Sequence, residues 1–390
     1  MLSQRLKQVR SAQGLSLDAL AHELGGMVTK QSLSKYEKGL AEPSPRVLNQ
    51  LAKVLGVKAA YLYSEPAVSI SFVAYRKTSR LSRKAQLRME SQISQHLEAC
   101  VRLQQIIDPA GRADVPIQAF EVESLEDTET AAQALRHRWN MGIDPIASVV
   151  GVLEEHHIYA LDVDGEEGFD GISAMAHEGE DLIAAATVTR RGIAGERQRL
   201  NLAHELGHLM LRIADGVDEE KAAFRFGAAF IAPAELLYRE IGQRRTSVSL
   251  AEMLLLKRRF GLSLQALVYR LRDLGIINAT HAKQWWMAIN QRGWKQREPG
   301  ELPAEDVTWL RQSVMRAVSE DLITLSHAEE LLKEPIHTDS SAGLGSRRAF
   351  MLLPLSERQR LMAEQAERFA DEYEADPEWR EWQGGDILDY

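Results

Sequence analysis

Residues 197–213, RQRLNLAHELGHLMLRI, combine helical periodicity with a metal-ligand pattern. The apolar residues recur at helical spacing: Leu200, Ala203, Leu206, Leu209 and Met210. No proline interrupts the segment, so it predicts one helix. His204 and His208 lie on one face of that helix, where both imidazoles can reach a single metal ion while Glu205 stands beside them. The pattern predicts a metal-binding helix; a surface histidine pair without a metal is the alternative.

A third metal ligand is expected further along the chain, because catalytic zinc takes three protein ligands and keeps one position for water. The next segment with helical character spans residues 218–236 and carries Glu219 and Glu220 at its amino-terminal end. Spacing alone does not choose between these two carboxylates. The sequence therefore predicts a site made of His204, His208 and one glutamate, which would hold zinc or another divalent ion.

The first 64 residues have the pattern of a small helical DNA-binding unit. Short amphipathic helices are predicted over residues 3–12, 17–24, 31–37 and 45–55. This block carries nine Lys and Arg against four Asp and Glu, a net charge of +5 on a chain of −9. A helix in the DNA major groove needs short polar side chains at its start and cations beside them, and these are present: Lys30, Gln31, Ser34 and Lys35. A helical bundle that only docks other proteins is the alternative.

Composition excludes several classes of protein. The chain has 390 residues, of which 45% are hydrophobic and 26% charged, which suits two or three globular domains and excludes disordered, collagen-like and disulfide-rich chains. The single cysteine, Cys100, is expected to be a buried small apolar residue. No apolar run reaches about 18 residues, and the first residues lack the apolar core of a signal peptide, so a cytoplasmic location is expected.

Residues 1–63 resemble the Cro/repressor-like (XRE) helix-turn-helix family. The resemblance rests on GLSLDALAHELG, TKQSLSKYEKGLAEPS and LNQLAKVLGV, and on Tyr36, Glu37 and Gly39 of the family signature. It implies that the helix beginning near Gln31 is the recognition helix, with Gln31, Ser34 and Lys35 facing DNA. Because one such unit reads half of an operator, a homodimer on double-stranded DNA is expected.

Most of residues 70–335 resemble the ImmA/IrrE family of metallopeptidases. The resemblance rests on VVGVLEEHHIYALDV, RQRLNLAHELGHLML and EEKAAFRFGAAFIAP. The family motif E-x-x-A-N-x-F-A-A maps onto the chain from Glu220, which the resemblance selects as the third zinc ligand, with Glu219 as the fallback. Phe224 stands where the motif has Asn, and Gly227 where it has Ala. The resemblance implies one zinc ion per chain, Glu205 as the general base, and limited proteolysis of a repressor-type protein.

These observations predict an α+β protein that is mostly helical. An all-α helix-turn-helix domain (1–64) would precede a zincin-like metallopeptidase domain with a small sheet (69–240), a helical extension (247–335) and an acidic tail (346–390). Strands are expected at 157–163 and 182–188, with a third between them.

The last residues suggest a further partner. Residues 361–390 carry ten Asp and Glu against two Arg, and the ending PEWREWQGGDILDY, at 377–390, resembles the tails of small antitoxins. A toxin partner is therefore one expectation, and a tail that folds back on its own protein is the other. The leading hypothesis is a DNA-binding transcriptional regulator with zinc endopeptidase activity, in stress, phage or toxin-antitoxin control, that cuts a repressor-type protein or itself. The alternative is a non-proteolytic repressor or antitoxin.

Overall fold

The structure is a computed structural model that describes residues 2–73, 82–109, 115–165, 169–336, 350 and 353–375. The antitoxin-like ending at 377–390 lies outside these residues. The prediction of a mostly helical α+β protein is confirmed. None of the helices in the described part of the chain combines the length and apolar character that a membrane crossing requires.

Five short helices form the amino-terminal domain: α1 (Leu2–Ala12), α2 (Leu17–Glu23), α3 (Lys30–Glu37), α4 (Pro45–Val54) and α5 (Ala59–Tyr63). The residues before α2, α3 and α4 are Ser16, Thr29 and Ser44, and each side chain accepts a backbone N–H from the first turn of its helix, which stabilises the helix start. The Arg10 guanidinium donates to both carboxylate oxygens of Glu37, at 2.6 and 2.8 Å, and so fixes α1 to the end of α3. The helix α3 is thereby held against α1.

A four-stranded sheet forms one layer of the remaining chain. Its strands are β1 (Ser69–Val73), β3 (Ile158–Val163), β4 (Gly171–Glu178) and β5 (Asp181–Arg190), in the order β1-β4-β5-β3. The strand β4 is antiparallel to both of its neighbours, and β3 is parallel to β5. The helices α6 (Arg83–Ile107) and α8 (Val149–Glu155) pack against this sheet, and α7 (Asp127–Arg138) joins the same apolar core as α8. The chain passes from β3 to β5 through β4, and α8 lies immediately before β3.

The metal-motif helix is α9 (Gly195–Met210), and fourteen of its sixteen residues are buried. The helix was expected to continue to residue 213, but residues 211–213 form the strand β6, which pairs in parallel with β2 (Phe120–Val122). Residues 211–213 are extended because they pair with β2, so the last predicted turn of the helix does not form. The following helix is also shorter than the predicted 218–236: α10 (Glu219–Ile231) ends before Pro233, which immediately precedes α11 (Ala234–Ile241).

The other helices complete the fold around these elements: α12 (Leu250–Phe260), α13 (Leu264–Asp273), α14 (Ala279–Gln291), α15 (Trp309–Ser319), α16 (Leu325–Leu332) and α17 (Leu355–Ala375). Residues of α12, α13 and α14 join the apolar core that surrounds α9 and α10. The helices α15 and α16 instead pack against the end of α6 through Leu103, Val314 and Ala328.

A buried ion pair joins the amino-terminal domain to the rest of the chain. Arg5 on α1 is completely buried, and its two terminal nitrogens lie 2.5 Å from the two carboxylate oxygens of Glu98 on α6. Arg5 also donates to the carbonyl oxygens of Ser64 and Glu65, while Arg102 donates to Glu98 at 2.8 Å. Burial alone would raise the pKa of Glu98, but the hydrogen bonds and charge of Arg5, with Arg102, hold it below its usual value.

Replacing Glu98 with Gln is expected to lower the free energy of unfolding by about 3–5 kcal/mol, because it leaves Arg5 as a buried cation without its carboxylate. A carboxylate with a depressed pKa stabilises the fold above its unfolded-state pKa, about 4.3, and loses this contribution as the pH falls through its folded-state pKa. Urea unfolding from about pH 7 to pH 3 should therefore show the difference between Glu98→Gln and wild type shrinking below about pH 4.

The control for this prediction is Glu334→Gln, at an exposed ion pair with Arg311, which should change stability by less than about 1 kcal/mol. If Glu98→Gln and wild type unfold at the same urea concentration at neutral pH, the ion pair does not hold the two parts of the chain together.

Candidate metal centre and cleft

The two motif histidines meet on the buried face of α9. Their Nε2 atoms are 3.1 Å apart, and both residues are buried. Two ligands at about 2.0–2.1 Å from a tetrahedral zinc ion lie about 3.3 Å from each other. The separation of the two imidazoles is close to that value, so His204 and His208 are placed to share one ion.

Glu220, at the start of α10, completes the cluster. Its two carboxylate oxygens lie 3.6 Å from the Nε2 atoms of His204 and His208, one oxygen to each. The candidate ligand atoms of the three residues all lie within 4.8 Å of one another. Two imidazoles and one carboxylate are a donor set that catalytic zinc uses in proteins. The residues present fit a divalent metal ion and leave room for a fourth ligand.

Glu219, the fallback ligand, contacts the other side of the His208 ring. Its Oε1 atom lies 3.2 Å from His208 Nδ1, the ring nitrogen that points away from His204. Asp218 precedes the helix and accepts the backbone N–H of Lys221, which fixes the first turn of α10. Consecutive glutamates therefore reach opposite nitrogens of one imidazole.

Glu205 stands beside the cluster in a pocket built by β4. The Ser173 hydroxyl lies 2.7 Å from Glu205 Oε2 and 2.9 Å from the Glu205 carbonyl oxygen. A Cβ atom at Gly171 would lie 2.6 Å from Glu205 Oε1, so glycine leaves the space that this carboxylate occupies. The pKa of the Glu205 carboxyl is raised to about 8, mainly by burial; the Ser173 hydrogen bond opposes this rise, and the nearby Glu220 and Asp170 add to it. Neither Ser173 nor Gly171 carried a signal in the sequence.

The helices α9 and α10 converge because two glycines let their backbones touch. A Cβ atom at Gly207 would lie 3.0 Å from Ala223 Cα, and one at Gly227 would lie 2.9 Å from both the Ala203 carbonyl carbon and the His204 nitrogen. Gly227 stands where the family motif has Ala, and the close crossing gives that substitution a physical reason. The approach brings Glu220 within reach of the two histidines.

Phe224 packs against the first histidine. Its ring centroid lies 3.9 Å from that of His204, with the planes tilted by 32°, and 46% of the residue is exposed. The family motif has Asn at this position. In this chain the neighbour of His204 is therefore an aromatic face, which restrains the imidazole by packing.

A cleft of about 1520 Å³ runs past the cluster. This exceeds the volume of about 300–1,000 Å³ of small-molecule sites and suits a polypeptide segment. Residues from both sides line it, including Phe169, Asp170, Arg190, Phe224, Tyr269 and Trp294. The cluster and Glu205 therefore form part of the wall of this cleft.

Buried charges hold the start of α9 in place. Lys257 on α12 is completely buried and contacts the carboxylates of Glu196 and Glu298, the latter at 2.7 Å. Glu305 pairs with Arg199 and also accepts the backbone N–H groups of Val149 and Val150 at the start of α8. The segment around residues 298–305 thus clamps the metal-motif helix to α8 and α12. These roles could not be predicted from the sequence, because the paired residues are far apart along the chain.

The residues predicted to face DNA lie on α3. Gln31 and Lys35 are exposed, Ser34 is half-buried, and Lys30 is exposed and pairs with Asp18 at 2.6 Å. Leu33, between them, is buried in the domain core. The helix therefore presents its polar face outward, while the contacts of α1 and α5 with α6 include Arg5 with Glu98 and Tyr61 with Arg102.

Comparison with known proteins finds a family match for two segments of the chain. Residues 6–62 match the family model described as helix-turn-helix, and residues 194–272 match the IrrE N-terminal-like domain. The predicted resemblances are confirmed. An uncharacterized HTH-type transcriptional regulator derived from the SPbeta prophage, YonR of Bacillus subtilis (strain 168), is 40% identical over 62 residues, which cover 16% of this chain and 56% of the relative. The match thus spans about half the length of that relative.

Replacing Gly227 with Ala is expected to weaken metal binding and lower the thermal unfolding temperature, because the added Cβ meets the α9 backbone at 2.9 Å. Overpacking of this kind costs about 1–3 kcal/mol, and the separation of the helices moves Glu220 away from the histidines. Calorimetric unfolding and zinc titration against a chelator measure both effects.

Gly151→Ala on α8 is the matched control, since a Cβ there makes ordinary contacts with Ser148 at 3.4 Å. The close-crossing account is wrong if Gly227→Ala binds zinc and unfolds as Gly151→Ala does.

Proposed function

We propose that this chain, which joins a helix-turn-helix domain to an IrrE-type metallopeptidase-like domain, is a DNA-binding transcriptional regulator with zinc-dependent endopeptidase activity. The observation that carries the proposal is the convergence of His204, His208 and Glu220 beside a buried Glu205 in a cleft that can admit a polypeptide. His204, His208 and Glu205 are buried and Glu220 is half-buried, so the donor atoms converge at the edge of the cleft.

The residues divide the chemistry of peptide hydrolysis among them. His204, His208 and Glu220 would hold the zinc ion, which when bound acidifies water and polarises a carbonyl group. Glu205 would take a proton from the attacking water and deliver it to the leaving amine. Ser173 holds the Glu205 carboxyl through its 2.7 Å hydrogen bond, so the base is oriented before substrate arrives. The walls of the cleft would position the peptide and reduce its contact with bulk water.

The substrate we propose is a repressor-type protein or the chain itself. The fusion of a DNA-binding domain to a peptidase-like domain supports this choice, because DNA binding would bring the cleft to proteins on the same operator. Cleavage would then relieve repression, in stress, phage or toxin-antitoxin control. A toxin partner for the carboxy-terminal tail stays a prediction from the sequence.

DNA binding would use the outward face of α3. Gln31, Ser34 and Lys35 would reach base edges and phosphates in the major groove, with Lys30 at the helix start. Since one domain reads a half-site, we propose that the chain acts on DNA as a homodimer. The buried Arg5–Glu98 pair would then transmit the orientation of the DNA-bound domain to α6.

Glu205→Gln is expected to retain zinc and to lose cleavage by about 10²–10⁴-fold, because the amide cannot accept the proton of water. His204→Ala should lose both metal and cleavage. Metal content by plasma mass spectrometry, together with mass spectrometry of the chain itself and of proteins from neighbouring genes after incubation, measures the two properties separately.

Lys283→Ala, at an exposed position on α14, is the control that should leave both properties unchanged. If the wild-type chain contains zinc but cuts neither itself nor any neighbouring-gene product, the non-proteolytic repressor or antitoxin becomes the better account. Glu205→Gln would then also leave DNA binding untouched.

Lys35→Ala is expected to weaken binding to duplex DNA of any sequence and to reduce the dependence of log affinity on log salt by about 1, because one phosphate contact is lost. Gln31→Ala should instead reduce discrimination between selected and random sequences. Fluorescence anisotropy at several salt concentrations measures both quantities, with Lys283→Ala as the charge-matched control. The α3 assignment is wrong if Lys35→Ala and Lys283→Ala have the same salt dependence.

A further inference from the structure

His208 is contacted on both of its ring nitrogens by neighbouring residues of one helix turn. Glu220 approaches Nε2 at 3.6 Å, and Glu219 approaches Nδ1 at 3.2 Å. The His208 side chain is only 2% exposed, whereas the Glu219 side chain is 47% exposed. The imidazole is therefore enclosed, and a partly solvated carboxylate reaches its outer nitrogen.

The geometry separates the roles of the two glutamates. A neutral imidazole carries its proton on one nitrogen and a lone pair on the other, and a metal ion can bind only through the lone pair. Glu219 as a carboxylate can only accept a hydrogen bond, so its position favours the proton on Nδ1. The lone pair of Nε2 then faces His204 Nε2 and the carboxylate of Glu220.

The start of α10 fixes this arrangement. Asp218 accepts the Lys221 N–H at 3.1 Å and holds the first turn in which Glu219 and Glu220 stand side by side. Both carboxylates lie at the amino-terminal end of the helix, where its dipole favours negative charge. The helix crossing at Gly207 and Gly227 sets the distance of this turn from His208.

We propose that Glu219 is a positioning residue that holds His208 as the Nδ1–H tautomer, so that Nε2 is ready to bind the metal ion. The proposal rests on the function proposed above for the metal site. Carboxylates that accept from a ligating histidine orient its ring and raise its basicity, and their loss weakens metal binding by about 10–100-fold. Glu219 contributes in this way without itself contacting the ion.

The tautomer can be measured before any metal is added. Nitrogen-15 correlation spectra of the metal-free full chain, at about pH 8 where an unperturbed histidine is neutral, distinguish a protonated Nδ1 from a protonated Nε2. We expect the Nδ1–H form of His208 to dominate in the wild type. Glu219→Ala should increase the Nε2–H form, and Glu219→Gln, whose amide oxygen can still accept, should retain most of the wild-type population.

Metal affinity gives the second readout. Zinc titration against a chelator should show a dissociation constant for Glu219→Ala about 10–100-fold above that of the wild type, with a smaller change for Glu219→Gln. The visible spectrum of the cobalt(II)-loaded protein should also change in Glu219→Ala, because the ring is free to tilt. Glu235→Ala, at an exposed first-turn glutamate of α11, is the matched control and should leave all three readouts at wild-type values.

The proposal is overturned if Glu219→Ala keeps the wild-type tautomer of His208, or if its zinc affinity stays within about twofold of the Glu235→Ala control. Should Glu219→Ala not fold, the tautomer in Glu219→Gln decides: dominance of Nδ1–H supports the proposal, and dominance of Nε2–H overturns it. Failure of the wild type to cleave protein would count against the peptidase, while the tautomer and the zinc affinity would still test Glu219.

Discussion

The close crossing of α9 and α10 is the constraint on which the rest of the site depends. Because Gly207 and Gly227 carry no side chains, the backbones touch, and Glu220 on one helix comes within 3.6 Å of both histidines on the other. The sheet then supplies Gly171 and Ser173 to place Glu205 on the same side. The site therefore depends on three elements from separate parts of the chain: α9, α10 and β4.

Buried ion pairs hold the elements of the site, and the amino-terminal domain, in place. Lys257 and Glu305 tie the start of α9 to α12 and α8, and Arg5 with Glu98 ties the amino-terminal domain to α6. Each pair is specific in geometry, because an uncompensated buried charge is strongly unfavourable. The same type of interaction therefore fixes the metal helix and couples it to the domain proposed to bind DNA.

Much of the fold and of the candidate site could be predicted from local sequence patterns. The four-residue spacing of His204 and His208 placed both on one helical face, and the apolar strands around residues 158–163 and 181–190 were visible from composition. The end of α9 could not be predicted from the sequence, because residues 211–213 form a strand only through pairing with residues 120–122. Likewise Glu219 could not be separated from Glu220 by spacing, since adjacent helix residues differ in direction and only the position of His208 distinguishes them.

The central claim is that His204, His208 and Glu220 together bind one metal ion. A crystal structure of the zinc-loaded full chain, with the ion located by anomalous scattering at the zinc edge, measures this directly. The account predicts one ion bonded to the Nε2 atoms of both histidines and to a Glu220 oxygen, at about 2.0–2.2 Å, with Glu219 on His208 Nδ1. An ion bound elsewhere, or histidines that stay 3.1 Å apart with no ion between them at saturating zinc, would contradict it.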